Sequence, residues 1–120
     1  MLCQWSEPEG CTTARGWFRV AWEDHPQWAS ADDRERSYWR YAMQDDFGPC
    51  FGNYLDYERP QDNDRPLERV HASCYRFRFC PVGYVSCGIG SKWFATVAEA
   101  KAWIEETIGE YLASQLECVA

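Results

Sequence analysis

The sequence predicts an α+β fold: an antiparallel sheet with a β-hairpin at about 70–89, packed by a long C-terminal helix and one further helix. Three observations predict it. Residues 70–80, VHASCYRFRFC, alternate with the two-residue period of a strand and return through YVSCGI. Residues 97–116 repeat apolar side chains with helical period behind a capping sequence. Upstream, short patterned runs are separated by turn-rich stretches, giving the order strand, helix, loop, hairpin, helix. At 120 residues the chain is read as a single α+β domain over 1–120, because two domains would each fall below the usual working size.

The elements follow in chain order. Residues 1–14 mix Pro, Gly, Thr and Glu without a period and read as an irregular lead-in. GWFRVAW at 16–22 reads as a strand, with Phe18, Val20 and Trp22 on one face, and Pro26 stops it. SADDRERSYWRYAMQ at 30–44 reads as a helix. Ser30 is its expected cap, Asp32 and Asp33 suit the positive end of the helix dipole, and Tyr38, Tyr41 and Ala42 form its apolar edge. Residues 45–69 are the least regular stretch; FGP, FGN, RPQDND and RP are turn chemistry, with room for one short strand in FGNYLDYE. In 70–80, Tyr75, Phe77 and Phe79 make an aromatic, core-bound face, and Arg76 and Arg78 a basic one. Pro81-Val82-Gly83 turns the chain, GSK at 90–92 turns it again, and WFAT forms a last short strand.

The final helix opens with Thr96-Val-Ala-Glu99, a capping box. Val97, Ala100, Ile104, Ile108, Tyr111 and Leu112 gather on its buried side. Glu99, Glu106, Glu110 and Glu117 fall within roughly 40° of one another on the opposite side, and Trp103 borders that acidic stripe.

Composition narrows the function class. Seven Trp, seven Tyr and six Phe exclude wholesale disorder. No apolar run reaches the roughly 18 residues that span a bilayer, so no membrane role is expected. The N-terminal MLCQWSEPEG lacks the basic flank and apolar run of a secretory signal. With seven cysteines, an odd count, this predicts free thiols and a cytoplasmic location. A net charge of −7 repels free nucleic acid and favours a basic partner surface.

Motifs of chemistry are sparse. His71, Cys74, Cys80 and Cys87 are the right residue types for zinc. Their spacing, H-x2-C-x5-C-x6-C, lacks the close ligand pairs of structural sites, and His71 has opposite strand parity to Cys74. The same parity separates His71 from Cys74 as a nucleophile–base pair. The acid pairs Asp32-Asp33, Asp45-Asp46 and Glu105-Glu106 are adjacent rather than facing, as solvated acids ordinarily are. Asp62-Asn63-Asp64 lacks the Gly and later Glu of a calcium loop, and GIGSK lacks phosphate-loop spacing. The expectation is therefore a non-enzymatic protein with no cofactor and no metal.

What remains is an acidic surface. Partner-binding residues are expected among the loop acids Asp45, Asp46, Asp56, Glu58, Asp62 and Asp64 and the helix acids Glu99, Glu106, Glu110 and Glu117. Trp103, Tyr54 and Tyr57 are the expected aromatic anchors, since Trp and Tyr dominate binding hot spots. Regularly spaced carboxylates can occupy a basic groove built for phosphates. Acids opposite an apolar stripe are ordinarily the wet face of a helix, so the spacing alone does not require a partner. Two alternatives stand beside this reading. One is a nucleic-acid-binding regulatory protein using Arg76 and Arg78, with Lys92 and Arg69 nearby, between aromatics. The other is a small zinc-stabilised protein.

The C-terminal YVSCGIGSKWFATVAEAKAWIEETI resembles the ending of many small proteins of phages and other mobile elements, in which strand, turn and short aromatic strand lead into a T-x-x-E-A-K-x-W/Y-I helix that covers a sheet. The likeness covers roughly the last third of the chain, and the upstream 80 residues carry none. It is specific for local architecture, and the ending recurs in unrelated proteins. In size, acidity and single-domain build the chain is similar to anti-CRISPR proteins, and no motif ties it to one family of them. The resemblance implies a stoichiometric inhibitor of a host defence complex. Its partner would be a Cas protein or other nucleic-acid-handling complex, bound through acidic DNA mimicry with no direct contact to nucleic acid.

Overall fold

The computed structural model describes residues 3–10, 13–43, 48–57, 68–80 and 83–119, with positions 43, 80, 83, 84 and 115–119 described by backbone alone. Five strands form one antiparallel meander in sequence order: β1 (Cys3–Ser6), β2 (Arg15–Val20), β3 (Cys50–Asp56), β4 (Val70–Cys80) and β5 (Gly83–Phe94). A 3-10 turn at Trp22–Asp24 and helix α1 (Asp33–Met43) lie between β2 and β3; helix α2 (Val97–Val119) closes the chain. The architecture is the expected α+β one.

Alternation decides which side of the sheet is covered. Phe18, Val20, Tyr54, Val70, Ala72 and Cys74 are buried, and Ala100, Ile104, Ile108 and Leu112 of α2 join them in one core. A side chain of Leu, Ile or Val type contributes about 1.5–3 kcal/mol when fully buried, so this stripe fixes α2 to the sheet. Thr96 caps α2 as its sequence predicts: its Oγ1 accepts from the Glu99 N–H at 3.2 Å.

The irregular reading of 45–69 is corrected in part. β3 is not a marginal strand but the middle of the sheet, paired on both sides, with Gly52 opposite Phe18 and Cys74. Gly52 looked like turn chemistry because its real role, a close helix approach, is invisible locally. A Cβ there would stand 2.6 Å from Ile104 Cγ2 and 3.2 Å from the Ser73 carbonyl. At Gly48, with φ 149°, the constraint is a close backbone approach: a Cβ would lie 1.9 Å from the Val20 carbonyl oxygen.

Four smaller expectations also change. Residues 3–6, read as lead-in, form edge strand β1, held by Trp5 against Phe18 and Tyr54 at ring distances of 5.1 and 5.6 Å. β2 ends at Val20, and Trp22 starts the 3-10 turn instead of continuing the strand. GSK at 90–92 is strand interior: β5 runs unbroken to Phe94, and its irregularity is a shift of register opposite Cys74/Tyr75. Finally, α1 starts at Asp33 and its cap is Asp32, whose Oδ1 accepts from the Glu35 N–H at 2.8 Å. Ser30 bonds the Gln27 carbonyl instead.

α1 meets the body of the protein through Trp39, not through the edge of Tyr38, Tyr41 and Ala42. Trp39 stacks on Phe79 at 4.5 Å, inside a second cluster with Trp22, Trp28 and Ala31, while Tyr38 and Tyr41 are exposed. This cluster caps the far end of β4. There the ladder with β3 stops at Cys74, and Gln27 replaces it: its side-chain amide donates to the Phe79 carbonyl and accepts from the Phe79 N–H. Across the same point the buried positions of β4 change from Val70, Ala72 and Cys74 to Phe77, half-buried, and Phe79.

Candidate functional site

α2 presents two chemically different sides. Its inner side is the apolar stripe just described. On its outer side Glu99, Glu106 and Glu110 are exposed. None of the three side chains forms a salt bridge or hydrogen bond with another described residue. Glu117 lies in the same helix, and its side chain is outside the described residues.

Other acids are used by the fold. Glu105 Oε1 accepts from Trp5 Nε1 at 2.7 Å, and Lys101 pairs with Glu7 while its ammonium sits 5.0 Å from the Trp5 ring. Positions 101 and 105, one helical turn apart, thus clamp edge strand β1 onto α2. Asp56 is buried and meets Arg69 Nε at 3.2 Å, and Glu23 pairs with Arg40 on the surface.

The structure divides the expected partner-binding set. Glu99, Glu106 and Glu110 share one exposed side. Trp103 sits beside them but is half-buried, its ring 5.7 Å from Phe94 and packed against the core. Tyr57 is exposed, with its ring 5.6 Å from Trp93 across the sheet. Tyr54 and Asp56 are inside the fold: Tyr54 is 4% and Asp56 8% exposed. Burial, then the neighbouring Glu7, pushes the Tyr54 hydroxyl up to about 12. Both belong to inward positions of β3, where alternation alone assigns them. Asp45, Asp46, Glu58, Asp62 and Asp64 lie outside the described residues.

The candidate zinc residues are dispersed. Cys74 is fully buried in the core under α2. His71 is on the opposite side, its ring 4.8 Å from Trp93, and Cys87 is exposed, 3.6 Å from an Arg76 nitrogen. The Cys80 side chain is outside the described residues, and no group of three metal-binding side chains occurs among them. Burial pushes the Cys74 thiol up to about 12, and raises Cys3 and Cys50 as well, which disfavours the thiolate a nucleophile needs. His25, 3% exposed, is lowered to about 4 by burial, opposed in part by the Phe77 carbonyl.

The basic residues considered for nucleic acid are also split. Arg76 and Arg78 are exposed and line a cleft of about 430 Å³ with Phe77, Val85 and Tyr111. Arg69 is engaged by Asp56, and Lys92 lies over Phe94 at 5.4 Å. A second cleft, about 610 Å³, opens beside α1 between Gln27, Tyr38, Trp39 and Phe79.

Sequence reasoning missed a further surface, the sheet face opposite α2. Its outward positions are Gln4 and Ser6 on β1, Arg15, Trp17 and Arg19 on β2, Asn53 and Leu55 on β3, His71 and Ser73 on β4, and Ser91 and Trp93 on β5. The signal was present only as alternation with half-buried residues, spread over five separated segments. Comparison with protein-family models, with curated proteins and with solved structures returns no match. No helix among the described residues is long and apolar enough to cross a membrane.

Proposed function

We propose that this chain is a non-enzymatic inhibitor that binds a nucleic-acid-handling protein complex through the acidic outer side of α2. The observation that carries the reading is the division of labour among the carboxylates. Glu7, Glu23, Asp56 and Glu105 hold the fold together, whereas Glu99, Glu106 and Glu110 are exposed on one side without a described partner. Negative charge displayed at helical spacing complements a basic groove that otherwise takes phosphates, and such complementarity accelerates encounter and fixes register. The resemblance to anti-CRISPR proteins makes a Cas complex the most concrete target. Binding would then exclude target DNA by occupancy, with no reaction and no cofactor. Trp103, half-buried beside these acids, is the aromatic group able to add buried apolar area.

The test is capture of partners by the tagged protein from its natural host, at low and high salt, alongside Glu106→Lys/Glu110→Lys. Expected is a Cas subunit or comparable nucleic-acid-handling protein, weakened by salt and lost in the double variant, with the variant's unfolding midpoint unchanged. Retention of the partner by the folded variant sinks the acidic-side reading.

A further inference from the structure

β4 and β5 run on together past the ladder with β3, which stops at Cys74. Alternation puts Arg76 and Arg78 on one face of this overhang, and their cross-strand partners on β5, Cys87 and Val85, share that face. All four residues are exposed. With Tyr111 of α2 and Gln27 they line the cleft of about 430 Å³. Gln27 is held in place there by its two hydrogen bonds to the Phe79 main chain.

This cleft is basic in an acidic protein. No Asp or Glu occurs among its described lining residues, although the chain carries 19 acids against 12 bases. Arg76 donates to Cys87 Sγ at 3.6 Å, a weak acceptor, and Arg78 forms no hydrogen bond or ion pair with a described residue. Burial raises the pKa of the Tyr111 hydroxyl and the Arg76 guanidinium opposes that rise, so hydroxyl and guanidinium stand close together. Val85, 54% exposed, adds apolar surface beside the cations.

We infer that the cleft is a binding site for a small aromatic phosphate of the nucleoside monophosphate type, with the phosphate held by Arg76 and Arg78 and the ring system against Val85 and Tyr111. Its volume lies in the range of about 300–1,000 Å³ that small-molecule sites occupy. Charge selects the anion. A phosphate monoester carries nearly two negative charges at neutral pH and matches two guanidinium groups, whereas a carboxylate carries one. Spacing agrees: positions 76 and 78 stand about 7 Å apart along the strand, and long side chains from both converge on one group between them. Three terminal oxygens suffice for both guanidinium forks and the Tyr111 O–H. A planar ring system then covers Val85 and meets the aromatic face of Tyr111, which an aliphatic phosphate would leave in water. The site does not rest on the inhibitor reading and can fail without it.

Cys87 supplies the readout, because a ligand in the cleft shields its thiol. The test measures alkylation of the full chain by mass spectrometry of labelled peptides while adenosine monophosphate is titrated in, with Cys3 on the far edge strand as the internal control. Cys87 labelling should slow saturably and Cys3 labelling should not change. Adenosine and inorganic phosphate should each need about tenfold more ligand or worse, since each lacks half of the recognised chemistry. Arg78→Gln, an exposed change that leaves the Arg76–Cys87 contact in place, should weaken protection by about tenfold or more at an unchanged unfolding midpoint. It should not alter capture of a protein partner by α2. Protection should also weaken from pH 7 to 5, as the phosphate takes up a proton near pH 6. No protection at about 5 mM nucleotide, or protection indifferent to Arg78→Gln, overturns the proposal. Oligonucleotides that protect Cys87 more strongly with increasing length overturn it too, and assign the Arg pair to single-stranded nucleic acid.

Discussion

His25 makes stability depend on pH in a window where the carboxylates are largely silent. The ring packs at 4.8 Å from Phe79 and 5.7 Å from Phe51, its Nδ1 accepts from the Gln27 N–H, and its Nε2 is buried without a hydrogen-bond partner. These contacts are all uncharged, so burial dominates and the folded pKa falls from 6.5 to about 4. The sign follows directly. Above the unfolded pKa both states hold a neutral ring, and stability from this group is fully present. As pH falls below about 6.5 the unfolded chain takes a proton that the folded one refuses, and stability is lost until about pH 4. The whole shift corresponds to about 3 kcal/mol, of which about 2 kcal/mol disappears between pH 7.5 and 5. Urea unfolding followed by tryptophan fluorescence at those two pH values measures it, with His25→Asn as the reference, because Asn retains an acceptor near Nδ1. His71 is common to both proteins and cancels in the difference. The wild-type chain should lose about 2 kcal/mol more than the variant. Equal losses, or a folded-state titration of His25 near 6.5 by NMR, would refute the argument that this ring is held neutral by burial.

Other perturbations test other joints of the fold. Gly52→Ala forces a Cβ against Ile104 and the Ser73 carbonyl; it should cost about 1–3 kcal/mol by chemical denaturation, and Ile104→Val should recover part of that. Trp39→Ala empties the stack on Phe79 that anchors α1 and should cost about 3–5 kcal/mol, read as a lowered unfolding midpoint. Thr96→Ala removes the α2 cap and should cost about 1 kcal/mol, with no change in helix content under native conditions. In the native protein a soluble alkylating reagent should label exposed Cys87 rapidly and Cys74 only at the rate of unfolding, which mass spectrometry of the labelled peptides separates.

The parts of the fold that were legible in the sequence are those whose causes are local. β4 reads correctly at 70–80 because two-residue alternation is written into one segment, and α2 because its cap, apolar stripe and acidic side all agree. What failed had tertiary causes. FGN looked like a turn, yet Gly52 is required by the approach of Ile104, from a helix far along the chain. The aromatic edge of α1 was misread because Trp39, not Tyr38 or Tyr41, meets Phe79, and that partner comes from β4. GSK carried turn composition, but eleven cross-strand pairs with β4 keep it extended.

The same reasoning explains which surface was visible. Glu99, Glu106 and Glu110 belong to one helix, so a helical wheel gathers them without any knowledge of the fold. The outer sheet face is assembled from five strands between Gln4 and Trp93, and no window of sequence contains it. It becomes visible only once register is known: Trp17 stands beside Asn53, and His71 beside Trp93, because the strands pair and not because their segments share a pattern.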